Sequence, residues 1–310
     1  MSALGILGVF AILCVYWLYF GADTFSWHLV LPRVPITPSW YFRLFAVRMI
    51  GEAYNNITPT ASLGGEPIKA WLLKSNWGIS LRHSGSSLVV AKTTSMFSLV
   101  VFVGIGALLL AYHPNLTPRL ESIVLWGLVF MVLSSVVLFL AQRFGFLTWA
   151  ARSSEKLLKK GSFKQTLVAI QDIDRQFQGF YEKDYKRLVG SCCFAMLNWV
   201  LGVCELYLIM HLLGFSISFS EVWIIECLVQ LVRTLTFFIP GGISTQEAAF
   251  MLAVGALVGS PSMGVIAALI RRCRDLIWIS ASLVLSAFYS VTPSSLSEIR
   301  QERDIPTEHN

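Results

Sequence analysis

Residues 217–259 read ISFSEVWIIECLVQLVRTLTFFIPGGISTQEAAFMLAVGALVG, two apolar pieces joined by Pro240-Gly241-Gly242-Ile243-Ser244-Thr245. Proline removes a backbone donor, and glycine leaves helical geometry at little steric cost, so a helix entering this stretch stops near Pro240 and another begins after it. Whether this is an ordinary turn or a break at membrane depth depends on the solvent, and composition decides that. Of 310 residues, 55% are apolar and 14% charged, with a mean hydropathy of +0.65. A water-soluble domain carries about 25% charged residues to cover its surface. A soluble enzyme is excluded, and so is a disordered chain. The remaining class is a multi-span membrane protein.

Outward from this stretch, other apolar runs reach the roughly 20 residues that a spanning helix needs. They are 84–112, 121–142, 188–213, 217–239 and 261–290. Residues 3–20 are uncharged and apolar but lack the basic region of a secretory signal, so they are read as a retained helix rather than a cleaved leader. Residues 41–58 are a weaker candidate, interrupted by Arg43, Arg48 and Glu52, while 67–74 and 247–259 are too short to span alone. Residues 143–187 form the one long polar segment, with ten Lys/Arg and five Asp/Glu. Within it Phe163, Leu167, Ile170, Ile173, Phe177 and Phe180 step by three or four, which predicts an amphipathic helix along the membrane surface. The alternative is a charged, self-solvating linker. Residues 293–310 are a polar tail.

Short loops rich in Lys/Arg stay cytoplasmic. That rule places 143–187 inside, 113–120 outside, and 76–83 inside, with which Lys69, Lys74 and Arg82 agree. Arg33 and Arg43 also favour the inside, so 41–75 has both ends on one face and reads as a re-entrant hairpin with its tip at Thr58–Gly65. By the same bookkeeping 217–259 begins and ends outside, a second hairpin from the opposite face. The breaks resemble each other: Pro59 then Gly64-Gly65-Glu66, and Pro240-Gly241-Gly242 then Glu247. The expected fold is an all-α integral membrane protein, a polytopic helical bundle with two inverted-topology re-entrant hairpins broken at Pro/Gly-Gly motifs. Residues 1–292 form one membrane domain, with a first repeat over about 1–142 and a second over about 188–292. Residues 143–187 are a cytoplasmic loop and 293–310 a cytoplasmic tail. Inverted repeats with interrupted segments at matching positions point to a transporter's central site. Two kinked helices that merely pack are the alternative.

These residues also carry a family resemblance. Glu52-Ala53-Tyr54-Asn55-Asn56-Ile57-Thr58-Pro59 with Gly64-Gly65-Glu66-Pro67-Ile68-Lys69, then Phe238–Glu247, then Arg272-Cys273-Arg274-Asp275, resemble the signatures of the lysylphosphatidylglycerol synthase transmembrane family, the flippase-like UPF0104 group. The similarity runs over about residues 1–292 and looks closest to the hopanoid-associated branch. Its best-known members join this membrane module to a soluble aminoacyltransferase. Residues 293–310 hold no such domain, so the resemblance implies the lipid-translocating half.

The candidate site is read from chemistry. Helix N-termini after Gly65 and Gly242 offer free N–H groups to a lipid phosphate, and glycine permits close approach. Glu66 and Glu247 sit at those same termini. Ser244 to Glu247 also fits a capping box and Pro67 a first helical position, so a structural cap stands beside a substrate or proton role. Arg48, Lys69, Lys92, Arg233, Arg271, Arg272 and Arg274 are intramembrane cations suited to an anionic headgroup. The alternative is internal pairing, for example Arg233 with Glu226 or Arg272 with Asp275. Glu205 and Glu226, lone carboxylates in apolar helices, are expected in ion pairs. Asn55 and Asn56 cap freed carbonyls or touch the headgroup. The substrate-binding set is Arg48, Glu52, Asn55, Asn56, Gly64, Gly65, Glu66, Lys69, Arg233, Pro240, Gly241, Gly242, Glu247, Arg271, Arg272 and Asp275.

The five histidines lack metal spacing, the six cysteines read as small buried hydrophobes, and no phosphate-loop or dinucleotide motif is present. No catalytic residue, metal or cofactor is expected. The net charge of +6 reports topology and anionic lipid rather than nucleic acid. The expected function is a lipid translocase in a bacterial inner (cytoplasmic) membrane, moving a lipid or lipid-linked headgroup, with a charged headgroup, between leaflets. The alternatives are a non-catalytic partner of a lipid-biosynthetic enzyme, or a membrane lipid transferase.

Overall fold

Helices form where the apolar runs predict them. The computed structural model describes residues 5–32, 34–57, 64–112, 118–143, 184–236 and 245–289, and among these every regular element is a helix. In chain order they are α1 (Gly5–Val30), α2 (Pro38–Ile57), α3 (Gly65–Trp77), α4 (Leu81–Ala111), α5 (Pro118–Arg143), α6 (Tyr185–Leu212), α7 (Phe219–Leu235), α8 (Thr245–Val258) and α9 (Pro261–Phe288). The tip at Thr58–Leu63, the motif Pro240-Gly241-Gly242 with Ser244, the surface helix expected within 144–183 and the tail from 290 lie outside the described residues.

α1, α4 and α6 are long and apolar enough to cross a membrane. α9 has the length but carries Arg271, Arg272, Arg274 and Asp275 near its middle. At 1.5 Å per residue, the 13 residues of α3 and 14 of α8 reach about 20 Å, short of the roughly 30 Å hydrocarbon core. The polarity is inside-out relative to a soluble protein. Ile6 is 91% exposed and Val284 63%, while Glu205 is 2% and Arg271 5% exposed.

α1 runs ten residues past the apolar run that ends at Phe20. Its second half is polar but faces protein, where Thr24, Ser26 and Trp27 find partners, as a low-dielectric setting requires. Thr24 donates to the Phe20 carbonyl at 2.8 Å, Ser26 to the Ser191 carbonyl at 2.9 Å, and the Trp27 indole to Ser87 at 3.1 Å. Small hydroxyl residues at the crossing let the helices approach closely. Ser26, Ser191 and Thr94 form a buried chain of hydroxyls joining α1, α6 and α4.

The contacts fix relative direction. Ser26 meets Ser191, and Tyr19 accepts from Asn198 at 2.9 Å through its carbonyl, so α1 and α6 are antiparallel. Thr94 meets Ser191 and Ser95 accepts from Trp199, so α4 and α6 run the same way. Each broken pair also packs on the long last helix of the other group, α2 against α9 and α7 against α4. Two apolar cores result. One gathers Trp27, Leu44, Ile50 and Leu73 around α1–α4; the other gathers Phe102, Leu206, Trp223 and Phe250 around α4 and α6–α9.

Local signals set several helix ends. α7 opens with a full capping box between Ser218 and Glu221. α3 closes at Gly78, whose φ of 66° is the left-handed geometry of a glycine C-cap. α9 begins with Pro261 at its first position. One expectation needs correcting: α3 starts at Gly65, so Pro67 is its third residue rather than its first. Its missing N–H costs nothing there, because the first four helix donors lack intrahelical partners in any case.

Candidate functional site

The first break is built on close backbone approach. The Gly65 N–H donates to Asn55 Oδ1 at 2.7 Å. A side chain at Gly65 would land on the Gly51 carbonyl oxygen, and one at Gly51 on the Lys69 stem. Asn55 thus ties the start of α3 back to α2 by accepting from its first N–H, and so caps a donor rather than a freed carbonyl. Asn56 donates to the Glu52 carbonyl at 2.9 Å and stays at the surface of the break. Gly64 has ordinary right-handed helical angles as N-cap.

Charged side chains converge inside the bundle, mostly in pairs. Arg271 donates to Glu226 at 2.9 Å and to the Gly202 carbonyl at 2.8 Å, and its Nε lies 3.6 Å from Glu205. Arg274 pairs with Glu205, reaches Asp275 at 2.8 Å, and lies over the Tyr16 ring at 3.8 Å. Gln230 donates to Glu226 at 2.9 Å. Arg48 pairs with Asp23 and stacks over Phe20 at 5.0 Å. Glu205 and Glu226 are therefore in ion pairs, as read from the sequence, but their partners differ. Arg271 and not Arg233 holds Glu226, and Arg272 is held by Glu247 at 2.9 Å rather than by Asp275. The reason is geometric. Residues 271 and 274 share one face of α9, whereas Arg272 is turned about 100° away toward α8.

The two breaks carry matching ion pairs. Glu66, in the first turn of α3, lies 3.6 Å from Lys92 on α4, and also takes Lys69 at 3.0 Å. Glu247, in the first turn of α8, takes Arg272 on α9. Glu247 lies 181 residues after Glu66, and Arg272 lies 180 after Lys92. That offset was legible in the sequence and would have assigned Lys92 its role. Each carboxylate is paired with a cation of the neighbouring long helix.

A polar chamber of about 390 Å³ lies between these parts. It is lined by Tyr16, Tyr19 and Phe20 of α1, Arg48, Glu52, Asn55 and Asn56 of α2, Lys92 of α4, and Trp199 and Glu205 of α6. Glu226, Gln230 and Arg233 of α7, Gln246 of α8, and Arg271, Arg272, Arg274, Asp275 and Trp278 of α9 complete it. The aromatic wall was not anticipated, because an aromatic on an apolar helix reads equally well as core or lipid-facing. Arg233 is exposed to the chamber and pairs with no described residue. Lys69, Glu66 and Glu247 stand behind the wall or beside it, not on it. Against the chamber lies an open, mostly apolar groove of about 730 Å³, lined by Ile57, Glu247, Ala248, Met251, Val265 and Leu276, with Asn56, Arg272, Asp275 and Ile279 shared with the chamber. Among the described residues, no three His, Cys, Asp or Glu side chains gather in a group that holds a metal ion.

A family model described as the lysylphosphatidylglycerol synthase TM region matches residues 2–282. The chain belongs to that family. The lysylphosphatidylglycerol synthase TM family takes its name from a lipid-making enzyme's membrane part, and a lipid-related membrane role goes with membership. A UPF0104 membrane protein of Methanothermobacter thermautotrophicus is 23% identical over 269 residues, 82% of this chain and 77% of the relative. Another from Methanocaldococcus jannaschii is 22% identical over 236 residues, 74% of this chain and 69% of the relative. No solved structure matches the chain.

Proposed function

We propose that the protein is a lipid translocase, without catalysis of its own, that carries a lipid headgroup between leaflets through the chamber. The observation that carries this reading is the chamber itself: a polar, charge-lined space at the meeting of both broken segments, inside a bundle whose outer faces are apolar. Buried ion pairs are poor stabilisers, and well-packed apolar residues serve as well or better. So many charges at membrane depth favour a transport path over a purely structural core. The antiparallel α1–α6 pair and the matching pairs Glu66–Lys92 and Glu247–Arg272 support the inverted-repeat, re-entrant arrangement, with a headgroup alternately exposed to either face. The Lys/Arg-rich segment 143–187 supports a cytoplasmic-membrane setting with that segment inside.

The test is translocation in proteoliposomes, scored by protection of labelled phospholipids from a membrane-impermeant quencher. Wild type should exchange label faster than empty liposomes. Arg233→Ala and Glu247→Gln should each slow that exchange at least severalfold. Wild-type exchange no faster than empty vesicles, across anionic, cationic and isoprenoid lipids and under an imposed pH gradient, would sink the reading.

A further inference from the structure

The chamber and the groove share Asn56, Arg272, Asp275 and Ile279 in their walls, and their chemistry differs on either side of these residues. Chamber-lining residues include six cations, Arg48, Lys92, Arg233, Arg271, Arg272 and Arg274, and four carboxylates, Glu52, Glu205, Glu226 and Asp275; Asp23, Glu66 and Glu247 beside the lining hold Arg48, Lys92 and Arg272. The wall is also rich in unmatched donors. Arg48 Nε, Arg274 Nε and Trp278 Nε1 are buried N–H groups with no acceptor among the described residues. Of the unmatched carboxylate oxygens, that of Glu66 belongs to a residue off both linings and that of Glu247 to a residue that lines the groove. Arg233 adds an exposed cation that no described residue pairs. The groove is the reverse, mostly apolar along α8 and α9, with Glu247 its one charged residue besides those it shares with the chamber.

We propose that the site takes a lipid whose headgroup is an anionic phosphate, seated in the chamber, with its hydrocarbon chain leaving through the groove between α8 and α9. This rests on the translocase reading, since it uses the same chamber. A phosphate oxygen only accepts hydrogen bonds, and guanidinium forks match it in a bidentate way. It therefore supplies what the wall lacks. An ammonium headgroup would add donors to a wall with unmatched N–H groups and meet the like charge of Arg233. A choline headgroup needs open aromatic faces; those of Tyr16 and Phe20 already carry Arg274 and Arg48, while Tyr19 and Trp199 stack on Tyr16 and Phe102 and Trp278 packs among Tyr16, Phe20 and Phe45. The groove selects for a tail, because a free phosphate ion gains nothing from an apolar channel. Arg272 stands at the junction, held by Glu247 with both side chains about a quarter exposed. The incoming phosphate replaces the Glu247 carboxylate on Arg272, which frees α8 from α9 at the mouth of the groove.

The experiment is a binding series on the purified full-length chain, read by thermal unfolding against ligand concentration. The probes are short-chain phosphatidic acid, phosphatidylglycerol, phosphatidylcholine, a lysyl-esterified phosphatidylglycerol and inorganic phosphate. The two anionic lipids should bind at least tenfold more tightly than the choline and lysyl lipids. Arg233→Gln should weaken them roughly tenfold, the loss of one charged hydrogen bond. Ala248→Trp, which fills the groove from an exposed position, should weaken the lipids similarly. It should leave any binding of inorganic phosphate unchanged. Choline or lysyl lipid binding as tightly as phosphatidic acid would overturn the proposal. So would inorganic phosphate binding as tightly as the lipids, with Ala248→Trp indifferent. Equal flipping of all headgroups would remove the phosphate preference and leave the translocase. Selective phosphate-lipid binding without flipping would do the opposite.

Discussion

Gly65 stands where two backbones meet. Its N–H is held by Asn55, and the Gly51 carbonyl fills the space a side chain would need. Gly65→Ala should destabilise the protein by about 1–3 kcal/mol through overpacking. Asn55→Ala should cost about 1–3 kcal/mol by leaving that buried N–H without an acceptor. Thermal unfolding in detergent measures both, and Asn55→Ala at wild-type stability would remove Asn55 from the cap. The deeper charges behave differently. Glu226→Ala leaves Arg271 buried beside only the more distant Glu205, and should cost about 3–5 kcal/mol. Glu226→Leu with Arg271→Met should recover much of that stability while slowing translocation, a split a purely structural pair would not give.

At the scale of elements, the short helices α3 and α8 are each clipped to a long neighbour by one carboxylate. The clips are not equivalent. Glu66 is shared between Lys69 and Lys92, whereas Glu247 rests on Arg272 at the groove mouth. Reversing the second pair tests it as a contact: Glu247→Arg alone and Arg272→Glu alone should each slow lipid exchange, and the double reversal should restore part of the rate. No recovery would mean the two residues act separately. The helix pair α1–α6 offers a geometric check. Ser26 and Ser191 oxygens lie 2.9 Å apart, near enough for a disulfide once both are cysteine. In a background without the six native cysteines, Ser26→Cys with Ser191→Cys should cross-link on oxidation in intact membranes. Ser26→Cys with Tyr207→Cys, near the far end of α6, should not.

For the whole molecule, the inverted reading makes a prediction about sides. Tyr112→Cys after α4 and Ser216→Cys before α7 should label with an impermeant thiol reagent from outside. Lys186→Cys at the start of α6 should label only once the membrane is opened. Tyr112 and Lys186 reacting from the same side would break the expected topology, since α4 and α6 run in the same direction and these residues sit at opposite ends.

Apolar length was enough to read the membrane class, the positions of the helices and the two interruptions, because a lipid solvent demands uninterrupted helix wherever the chain is exposed to it. Chemistry in the wrong solvent was legible too: Arg271, Arg274, Glu205 and Glu226 stood out as charges in apolar helices, and pairing was the expected remedy. Which partner each took was not, since the way α9 is turned against its neighbours decides whether a guanidinium meets α6, α7 or α8. The same is true of Asn55, Gly51 and the aromatic wall of Tyr16 and Trp278, whose roles depend on distances between segments far apart in the chain. Solvent preference is a property of each residue and adds along the sequence. Pairing, and the meeting of a polar chamber with an apolar groove, belong to the relative placement of helices, and only the packed bundle decides that.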